Sequence, residues 1–348
     1  MKYNLNTSFR CYMINEGLVL DVADNEIKVI EDGIDELMFV LDLFKNEISF
    51  DEVYEKLNEN YYVSKNDFTN VFEFLRINNI IKESKLHVNT SLNEYHFDKY
   101  DRQIKSLCSL TGVEYSVAVR MQEKLCSSKV ILLGVGGVGS HLALALASVG
   151  VQNIVIADMD KIELSNTSRQ VLYDETDVGE LKIDVAAKKL RKYNNELLVK
   201  KYNKNIQCKE DLEFLDEHAD ADILLLCADT PRGEIQYIVD DYSKKSGIPW
   251  LFFGPYHHSK IALGPMIIPG VTKSYSDIFP KSIFNYDERV EQINNNFVAS
   301  ICDPFNAIAA QMAAIEVLKF ITNYKPVMVC NKRYTLYTDD WKIEMSDL

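Results

Sequence analysis

The sequence has no long run of basic residues. Its 348 residues carry a formal net charge of −14, from 38 Lys and Arg against 52 Asp and Glu. A surface of this sign repels the phosphates of nucleic acids and of anionic lipids. We therefore expect neither a nucleic-acid partner nor a membrane partner.

Cysteine motifs are also missing. The seven cysteines are scattered and no C-x-x-C pair occurs, which excludes a disulfide framework and a local zinc knuckle. The N-terminus lacks the pattern of a signal peptide, and no apolar run is expected to reach membrane-spanning length. These absences favour a soluble, cytoplasmic protein.

A nucleotide-binding pattern begins at residue 129. The apolar residues 130–133 predict a buried parallel strand, and residues 141–149 predict a helix that stops at Gly150. Four glycines spaced G-x-G-G-x-G separate the two: Gly134, Gly136, Gly137 and Gly139. Such a turn lets a phosphate approach the backbone at a helix N-terminus, where free N–H groups and the helix dipole favour negative charge.

A second predicted strand, residues 154–157, ends on Asp158. This acid lies about twenty residues beyond the last glycine, where a carboxylate can accept hydrogen bonds from ribose hydroxyls. The order strand, glycine turn, helix, strand and acid predicts an adenine-nucleotide site.

Strand and helix patterns continue to alternate beyond Asp158. A helix is predicted at 182–193, a strand at 223–227 and another strand before Gly254, which together favour an α/β fold with a doubly wound, mostly parallel, Rossmann-like sheet. Later segments are predicted as a mobile crossover loop, a helix of small residues and an exposed strand pair: 270–296, 306–321 and 333–344.

The first 88 residues predict a small, winged-helix-like α+β domain. Strands are expected at 9–13, 17–21 and 26–30, with a turn at Asp24-Asn25 and a returning strand at Ile80-Ile81. Three helices follow the first strands: one at 34–44, one opened by a Ser49/Glu52 capping box and one starting at Ser64. The domain is either a packing module or a peptide-binding module that adds a strand to its sheet edge. Its many acidic residues argue against DNA.

Residues 89–128 are predicted to form a connector and dimer arm, and residues 129–348 the nucleotide-binding domain.

A set of polar and charged residues follows the second strand of the nucleotide-binding pattern: Ser165, Asn166, Arg169, Gln170, Lys182 and Asp229. This set suits ATP better than a dinucleotide. A displacement at the α-phosphate of ATP develops charge that calls for cations and a magnesium ligand. Three of these residues also have an ordinary structural explanation. Arg169 could form a surface ion pair, Lys182 could be a solvated helix residue, and Asp229 could be a helix cap.

These motifs together resemble the ThiF/MoeB superfamily, relatives of ubiquitin-activating enzymes that adenylate a carboxylate. The resemblance rests on G-x-G-G-x-G, on D-x-D-x-x-x-x-S-N-x-x-R-Q at 158–170, on V-G-x-x-K ending at Lys182, on Ala228-Asp229 and on K-Y-x-R-Q at 99–103. It covers roughly residues 99–325. The N-terminal domain, through its helix at 65–81, resembles the precursor-recognition element of members that act on microcin C-type and pantocin-type peptides.

The resemblance implies ATP and Mg²⁺ as cofactors and assigns a role to each motif residue. The glycines would line the phosphates, with Asp158 on the ribose. Asp160, Ser165 and Gln170 would complete the nucleotide-binding set. Asn166, Arg169 and Lys182 would bind the triphosphate, Asp229 would hold Mg²⁺, and Arg102 would reach the phosphates from the other subunit of a homodimer.

Two departures from the superfamily pattern affect these expectations. Ser274 and Asp277 stand where many members have the first of two zinc-binding cysteine pairs, and the second pair is missing, so zinc is expected to be absent. Cys302 is the nearest candidate for a thioester nucleophile, but a buried packing role is favoured. His257-His258 is expected on a strand surface, with substrate contact as the alternative.

The leading hypothesis is ATP-dependent adenylation of a carboxylate on a ribosomally made precursor peptide, in the biosynthesis of a peptide antibiotic. The enzyme would activate either the C-terminal carboxylate (microcin C-type) or glutamate side chains for internal ring closure (pantocin-type), and the missing cysteines favour the second. Activation of a sulfur-carrier protein, NAD-dependent oxidoreduction and a non-catalytic peptide-binding scaffold are the alternatives.

Overall fold

The computed structural model describes residues 1–6, 9–21, 27–83, 89–256, 259–283, 289 and 301–348. By its internal contacts the chain divides into two compact units, Met1–Glu123 and Lys124–Leu348. The predicted division at residues 88 and 128 stays a prediction.

The first unit is an α+β structure. Its strands are β1 (Lys2–Leu5), β2 (Arg10–Ile14), β3 (Gly17–Asp21), β4 (Ile27–Ile30), β5 (Ile48–Ser49) and β6 (Ile81–Glu83). Its helices are α1 (Ile34–Leu43), α2 (Phe50–Asn60), α3 (Lys65–Ile77), α4 (Glu94–Thr111) and α5 (Tyr115–Ser127), which runs into the second unit. The strands form two antiparallel sheets, ordered β5-β1-β6 and β2-β3-β4.

The helix starts of the first unit follow from capping side chains. Ser49 accepts from the Glu52 N–H at 3.3 Å while the Ser49 N–H donates to the Glu52 carboxylate at 2.8 Å, which confirms the predicted capping box. Ser64 caps α3 by accepting from the Asp67 N–H at 3.1 Å. The core combines Leu, Ile and Val side chains with aromatic rings, and the Tyr3 and Phe72 rings lie 4.9 Å apart. β1 and β5 were not predicted, the Asp24-Asn25 turn lies outside the described residues, and the winged-helix designation stays a prediction.

Residues 91–128 are more regular than the predicted connector. They form α4, capped by Asn93, and α5. Tyr100, Ile104 and Leu107 of α4 are all buried. Their spacing is helical, but the many polar residues between them hid the pattern.

The second unit is built on one eight-stranded sheet. Its strands are β7 (Lys129–Leu133), β8 (Asn153–Ala157), β9 (Leu198–Tyr202), β10 (Ile223–Leu226), β11 (Trp250–Tyr256), β12 (Lys260–Ile267), β13 (Lys332–Tyr337) and β14 (Lys342–Asp347). Its helices are α6 (Gly137–Val149), α7 (Lys182–Tyr193), α8 (Ile235–Ser246), α9 (Tyr275–Ile278) and α10 (Asp303–Thr322). The strand order is β14-β13-β12-β11-β10-β7-β8-β9. The five strands from β11 to β9 are parallel and the other three are antiparallel, which confirms the predicted mostly parallel sheet.

Alternate residues of the strands bury two separate faces of this sheet. Val130 and Leu132 of β7 pack with α6, α7 and α10, on what we term the α6 face. Ile131 and Leu133 pack with α8 on the opposite, α8 face. Helices on both faces make the fold doubly wound, as predicted.

Helix α10 corrects one expectation. Its 20 residues include an 18-residue window of mean hydropathy 1.3, long and apolar enough to cross a membrane by length and composition. Ala310, Ala313 and Val317 of this helix are buried on the α6 face, and core helices pass the same test. The helix does not stand out in the sequence because Asp303, Glu316 and Lys319 interrupt its apolar residues.

The stretch predicted as a loop at 270–296 contains the short helix α9. Asp240 of α8, which is fully buried, accepts hydrogen bonds from the Tyr275 N–H at 2.9 Å and the Ser276 N–H at 3.1 Å. Its carboxylate also pairs with Lys244 at 2.8 Å. Ser274 and Asp277 form the capping box of α9. Beyond residue 283 only Arg289 of this stretch is described.

Candidate nucleotide-binding site

The glycine turn after β7 is packed so closely that side chains are excluded at two positions. Gly134 has φ +93°, and a Cβ there would lie 2.9 Å from the Ala228 nitrogen. A Cβ on Gly139 would lie 2.2 Å from the Gly134 carbonyl oxygen. These contacts bring the N-terminus of α6 against the carboxyl end of β7, where an anion can meet its free N–H groups.

Gly136, in contrast, has open space beside its Cα atom, and we term this space the glycine cradle. It is the N-cap of α6, and a Cβ there would come no closer than 3.7 Å to Gln170 Nε2. Gln170 is 5% exposed, and its Oε1 atom has no hydrogen-bond partner among the residues that the structure describes. A buried acceptor without a donor is unfavourable, so its presence beside an open glycine cradle fits a bound ligand that donates to it.

Asp158 links the glycine turn to the chain beyond β8. Its carboxylate accepts from the Val135 N–H and from the Asp160 N–H, each at 2.9 Å. Burial raises the pKa of Asp158, and the nearby Lys182 ammonium and these two N–H groups oppose that rise. Each oxygen keeps a second acceptor position, as contact with ribose hydroxyls requires.

Lys182, at the start of α7, is buried and bound to Asp160. Its Nζ lies 2.7 Å from Asp160 Oδ2, and its backbone N–H donates to the Asp160 carbonyl at 3.0 Å. The lysine is 6% exposed, so the solvated alternative is wrong. The buried Tyr173 hydroxyl lies 2.8 Å from the Val135 carbonyl and 3.3 Å from the Lys182 carbonyl. The lysine and the glycine turn are therefore held by one network.

Ser165 and Asn166 lie on a short 3₁₀ helix, Leu164–Asn166, and Arg169 lies in the turn that follows it. The buried Asn166 accepts from the Glu163 N–H at 3.1 Å. Arg169 donates to the Ser165 carbonyl at 2.6 Å and makes no ion pair with any residue that the structure describes. None of the carboxylates that the structure describes neutralises the charge of Arg169, which gives no support to a surface ion pair.

Asn306 of α10 was not predicted as a site residue. It is 2% exposed, and its Nδ2 lies 3.5 Å from the Arg169 carbonyl oxygen and 2.7 Å from the position of a Cβ on Gly137. The same end of α10 is tied to α6 by His141 Nε2 and Asp303 Oδ1, 2.8 Å apart. An asparagine within an alanine-rich helix was the only sequence signal for it.

Asp229 follows β10 at the same edge of the sheet as the glycine turn, because Leu226 pairs with Leu133. Its exposed carboxylate accepts from the Thr230 hydroxyl at 3.1 Å. The N-cap of α8 is Glu234, so the cap alternative for Asp229 is wrong. Among the described residues no group of three or more His, Cys, Asp or Glu could hold a metal ion. A magnesium ion here would have one protein carboxylate and would take its other ligands from phosphate and water.

The remaining predictions concern Arg102, Cys302 and His257-His258. Arg102 belongs to the first unit, on α4, and its exposed side chain has no ion-pair partner among the residues described. Cys302 is exposed rather than buried, because it precedes the first turn of α10 instead of lying on the buried alanine face. His257-His258 lies outside the described residues.

A glycine turn at a helix N-terminus, an acid after the next strand and a buried lysine beside them define a Rossmann-type nucleotide-binding domain. The family model described as "ThiF family" matches residues 100–347. The chain belongs to the ThiF family.

Several relatives in this family are adenylyltransferases. The chain is 32% identical over 162 residues to Adenylyltransferase and sulfurtransferase UBA4 of Scheffersomyces stipitis, covering 47% of this chain and 33% of that protein. It is 30% identical over 272 residues to the UBA4 of Debaryomyces hansenii, covering 75% and 58%. Sulfur carrier protein ThiS adenylyltransferase of Escherichia coli is 33% identical over 138 residues, covering 40% and 51%. The chain thus spans between a third and three-fifths of these relatives.

Solved structures match over the whole chain. E. coli MccB with AMPCPP and MccA superposes with a TM-score of 0.81 at 29% identity, covering 100% of this chain and 97% of MccB. The MccB complex with ATP gives a TM-score of 0.80 at 29% identity with the same coverage. PaaA gives a TM-score of 0.77 over 98% of both chains, but at 22% identity this likeness concerns the fold alone.

Proposed function

We propose that this protein adenylates a carboxylate of a ribosomally made precursor peptide, using ATP, in the biosynthesis of a peptide natural product. The observation that carries the proposal is the likeness to MccB, which extends through both units of the chain and was found in complexes with a nucleotide and with MccA. The nucleotide cradle of the second unit provides independent chemical support.

In this proposal ATP lies along the glycine turn. Its phosphates meet the N–H groups at the start of α6, Asp158 accepts from the ribose, and the unpaired Gln170 oxygen accepts from a donor on the nucleotide. Arg169 and Lys182 neutralise phosphate charge, with Ser165 and Asn166 beside them. Asp160, which binds Lys182, orients its ammonium.

Asp229 is the proposed protein ligand of a magnesium ion that neutralises the charge of the phosphates. Its carboxylate is exposed at the edge of the sheet where the phosphates would lie, and a single carboxylate is typical of a site that shares Mg²⁺ with a nucleotide.

The reaction joins a carboxylate oxygen of the peptide to the α-phosphorus of ATP, and the bond from that phosphorus to the bridging oxygen of pyrophosphate breaks. The products are an acyl adenylate and pyrophosphate. A carboxylate is already ionised at neutral pH, so no general base is needed. The residues of the site act by alignment and by neutralising the charge that develops on pyrophosphate.

The first unit is proposed to hold the peptide at the free edge of β2. Ile14 and Gly17 flank a two-residue turn and pair with each other, so theirs is the hydrogen-bonded kind of pair. Hydrogen-bonded and non-hydrogen-bonded pairs alternate along an antiparallel ladder, so the N–H and C=O groups of Cys11 and Met13 point away from β3. Among the described residues no further strand pairs with that edge of β2. An extended peptide could add a strand there, beside the exposed Tyr12 and Met13 side chains.

Two versions of the chemistry remain open. The C-terminal carboxylate would be activated in a microcin C-type reaction, and glutamate side chains in a pantocin-type reaction. The site residues are the same in both, since each version begins with one carboxylate and one ATP.

Activation of the C-terminus of a sulfur-carrier protein is the second candidate, and the relatives named for that activity favour it. The two candidates differ in their acyl substrate. The test is ATP–pyrophosphate exchange by the purified protein, with candidate precursor peptides in one set of reactions and a ThiS-type carrier protein in another. Exchange that depends on a peptide supports the proposal. Exchange with the carrier protein alone would contradict it and support the second candidate. Mass spectrometry of the adenylated product identifies the carboxylate.

A further inference from the structure

Arg333 of β13 is a cation held by aromatic rings. Its guanidinium carbon lies 5.3 Å from the centre of the Phe252 ring and 4.9 Å from the centre of the Phe279 ring. Its Nε donates to the Gly264 carbonyl at 3.3 Å. The two rings and the hydrogen bond from Nε fix the position of the guanidinium. Because that bond uses only Nε, the terminal N–H groups can donate to another partner.

No carboxylate of the described residues pairs with Arg333. The side chain is partly buried, and this burial lowers the pKa of its guanidinium. Other shielded cations in this unit have acidic partners: Lys182 pairs with Asp160 and Lys319 with Glu316. Partial burial of a charge without a counter-ion is unfavourable, so the arrangement fits an anionic ligand.

The strand registers place Arg333 near the carboxyl ends of the parallel strands. Its hydrogen-bond acceptor is on β12, and its ring partner Phe252 pairs with Leu226, the last residue of β10. Phe252 packs on the α8 face, whereas the glycine turn leads into α6 on the opposite face. A group bound by Arg333 would therefore lie on the α8 face of the sheet, whereas the phosphates of a nucleotide would lie on the α6 face.

We propose that Arg333 binds a carboxylate of the peptide substrate and thereby selects an acidic peptide. The guanidinium fork matches a carboxylate with two parallel hydrogen bonds. Phe252 and Phe279 provide apolar surface for the carbon chain that carries the carboxylate, which a hydrated phosphate does not need. This inference rests on the proposed function and deepens it, since it names the feature of the peptide that the site recognises.

The test is chemical modification of the intact protein with phenylglyoxal, with the modification of each arginine followed by mass spectrometry. The probes are N-acetylglutamate, its neutral isostere N-acetylglutamine, and inorganic pyrophosphate. Saturating N-acetylglutamate should slow modification of Arg333 roughly fivefold, as a bidentate pair shields the fork. N-acetylglutamine and pyrophosphate should leave its rate unchanged. The exposed Arg10, already paired with Asp21, is the internal reference.

A second readout uses the melting temperature. N-acetylglutamate should raise it in the wild-type protein and leave it unchanged in Arg333→Gln, because a ligand stabilises only a fold that binds it. Arg333→Lys, which keeps the charge without the fork, should respond weakly. Equal protection by the acid and its amide, protection by pyrophosphate alone, or no protection would each overturn the proposal. ATP binding measured on the same samples separates this failure from failure of the nucleotide site.

Discussion

The ammonium of Lys182 is buried, while Asp160, the acid 2.7 Å away that binds it, has a side chain 53% exposed. Removing one partner should therefore have a different effect on stability from removing the other. Removing the lysine leaves a carboxylate that water can solvate, whereas removing the carboxylate leaves a buried cation without a counter-ion.

We expect Lys182→Met to fold and to lose turnover by about a hundredfold or more, the effect of losing one contact that stabilises developing charge. Asp160→Asn should lose less turnover but should lower the melting temperature more, by an amount equivalent to roughly 1–2 kcal/mol. Pyrophosphate release and thermal melting on both variants check this. The reverse order of the two melting temperatures would contradict the pairing described.

The glycine turn offers a matched set of alanine substitutions. Gly139→Ala forces a Cβ into the Gly134 backbone and should markedly destabilise the second unit. Gly136→Ala meets only ordinary contact distances, so its stability should stay within about 0.5 kcal/mol of wild type, while its methyl group narrows the cradle and weakens ATP binding. Denaturant unfolding and nucleotide titration separate the two effects. Unchanged ATP affinity in Gly136→Ala would place the nucleotide elsewhere.

Asp229→Asn tests the magnesium assignment. Within the described part of the chain, the exposed side chain accepts a hydrogen bond from the Thr230 hydroxyl alone, so the fold should be unaffected. Turnover should fall, and part of it should return at high Mg²⁺ concentration, because an amide oxygen is a weaker ligand than a carboxylate. The measurement is the Mg²⁺ dependence of pyrophosphate release, with Asp222→Asn as the control, since Asp222 is an exposed acid just before β10. Equal Mg²⁺ dependence in wild type and Asp229→Asn would refute the assignment.

The residues of the site that the sequence predicted share one property: each belongs to a short motif. The spacing of the glycines and the position of Asp158 follow from local chain geometry, and Lys182 ends a motif of a few residues. Asn306, Arg333 and Asp240 could not be found in this way. Their partners lie on distant parts of the chain, as with Asn306 and Gly137, and such packing leaves no periodic signal. Asp160 was predicted to bind nucleotide, but its contact with Lys182 needed the structure.

Proline substitutions on β2 test the peptide-binding edge. Met13→Pro removes an N–H that points away from β3, so the hairpin should persist while peptide affinity falls. Tyr12→Pro removes an N–H bonded to β3 and should disrupt the hairpin. Met13→Ala, which keeps the N–H, measures the side-chain contribution alone. Peptide titration with circular dichroism distinguishes the three variants, and normal affinity in Met13→Pro would exclude strand addition at this edge.

Arg102 is expected to act on the site of a partner subunit in a homodimer. If so, mixing inactive Arg102→Ala with inactive Lys182→Ala should restore activity, because each mixed dimer contains one site with both residues intact. Random exchange of subunits should return about a quarter of wild-type activity. Absence of recovery in verified mixed dimers would show that Arg102 acts within its own chain or not at all.

The contact between Asn306 and the glycine turn also bears on the order in which the protein is made. The turn at Gly137 leaves the ribosome long before α10, and the strands β13 and β14 follow that helix. Chains fold from the N-terminus during synthesis, so a nascent chain would have its strand, glycine turn and first helix in place while still lacking the asparagine that supports them. The nucleotide cradle is therefore completed only once α10 has been made, long after its own glycine turn.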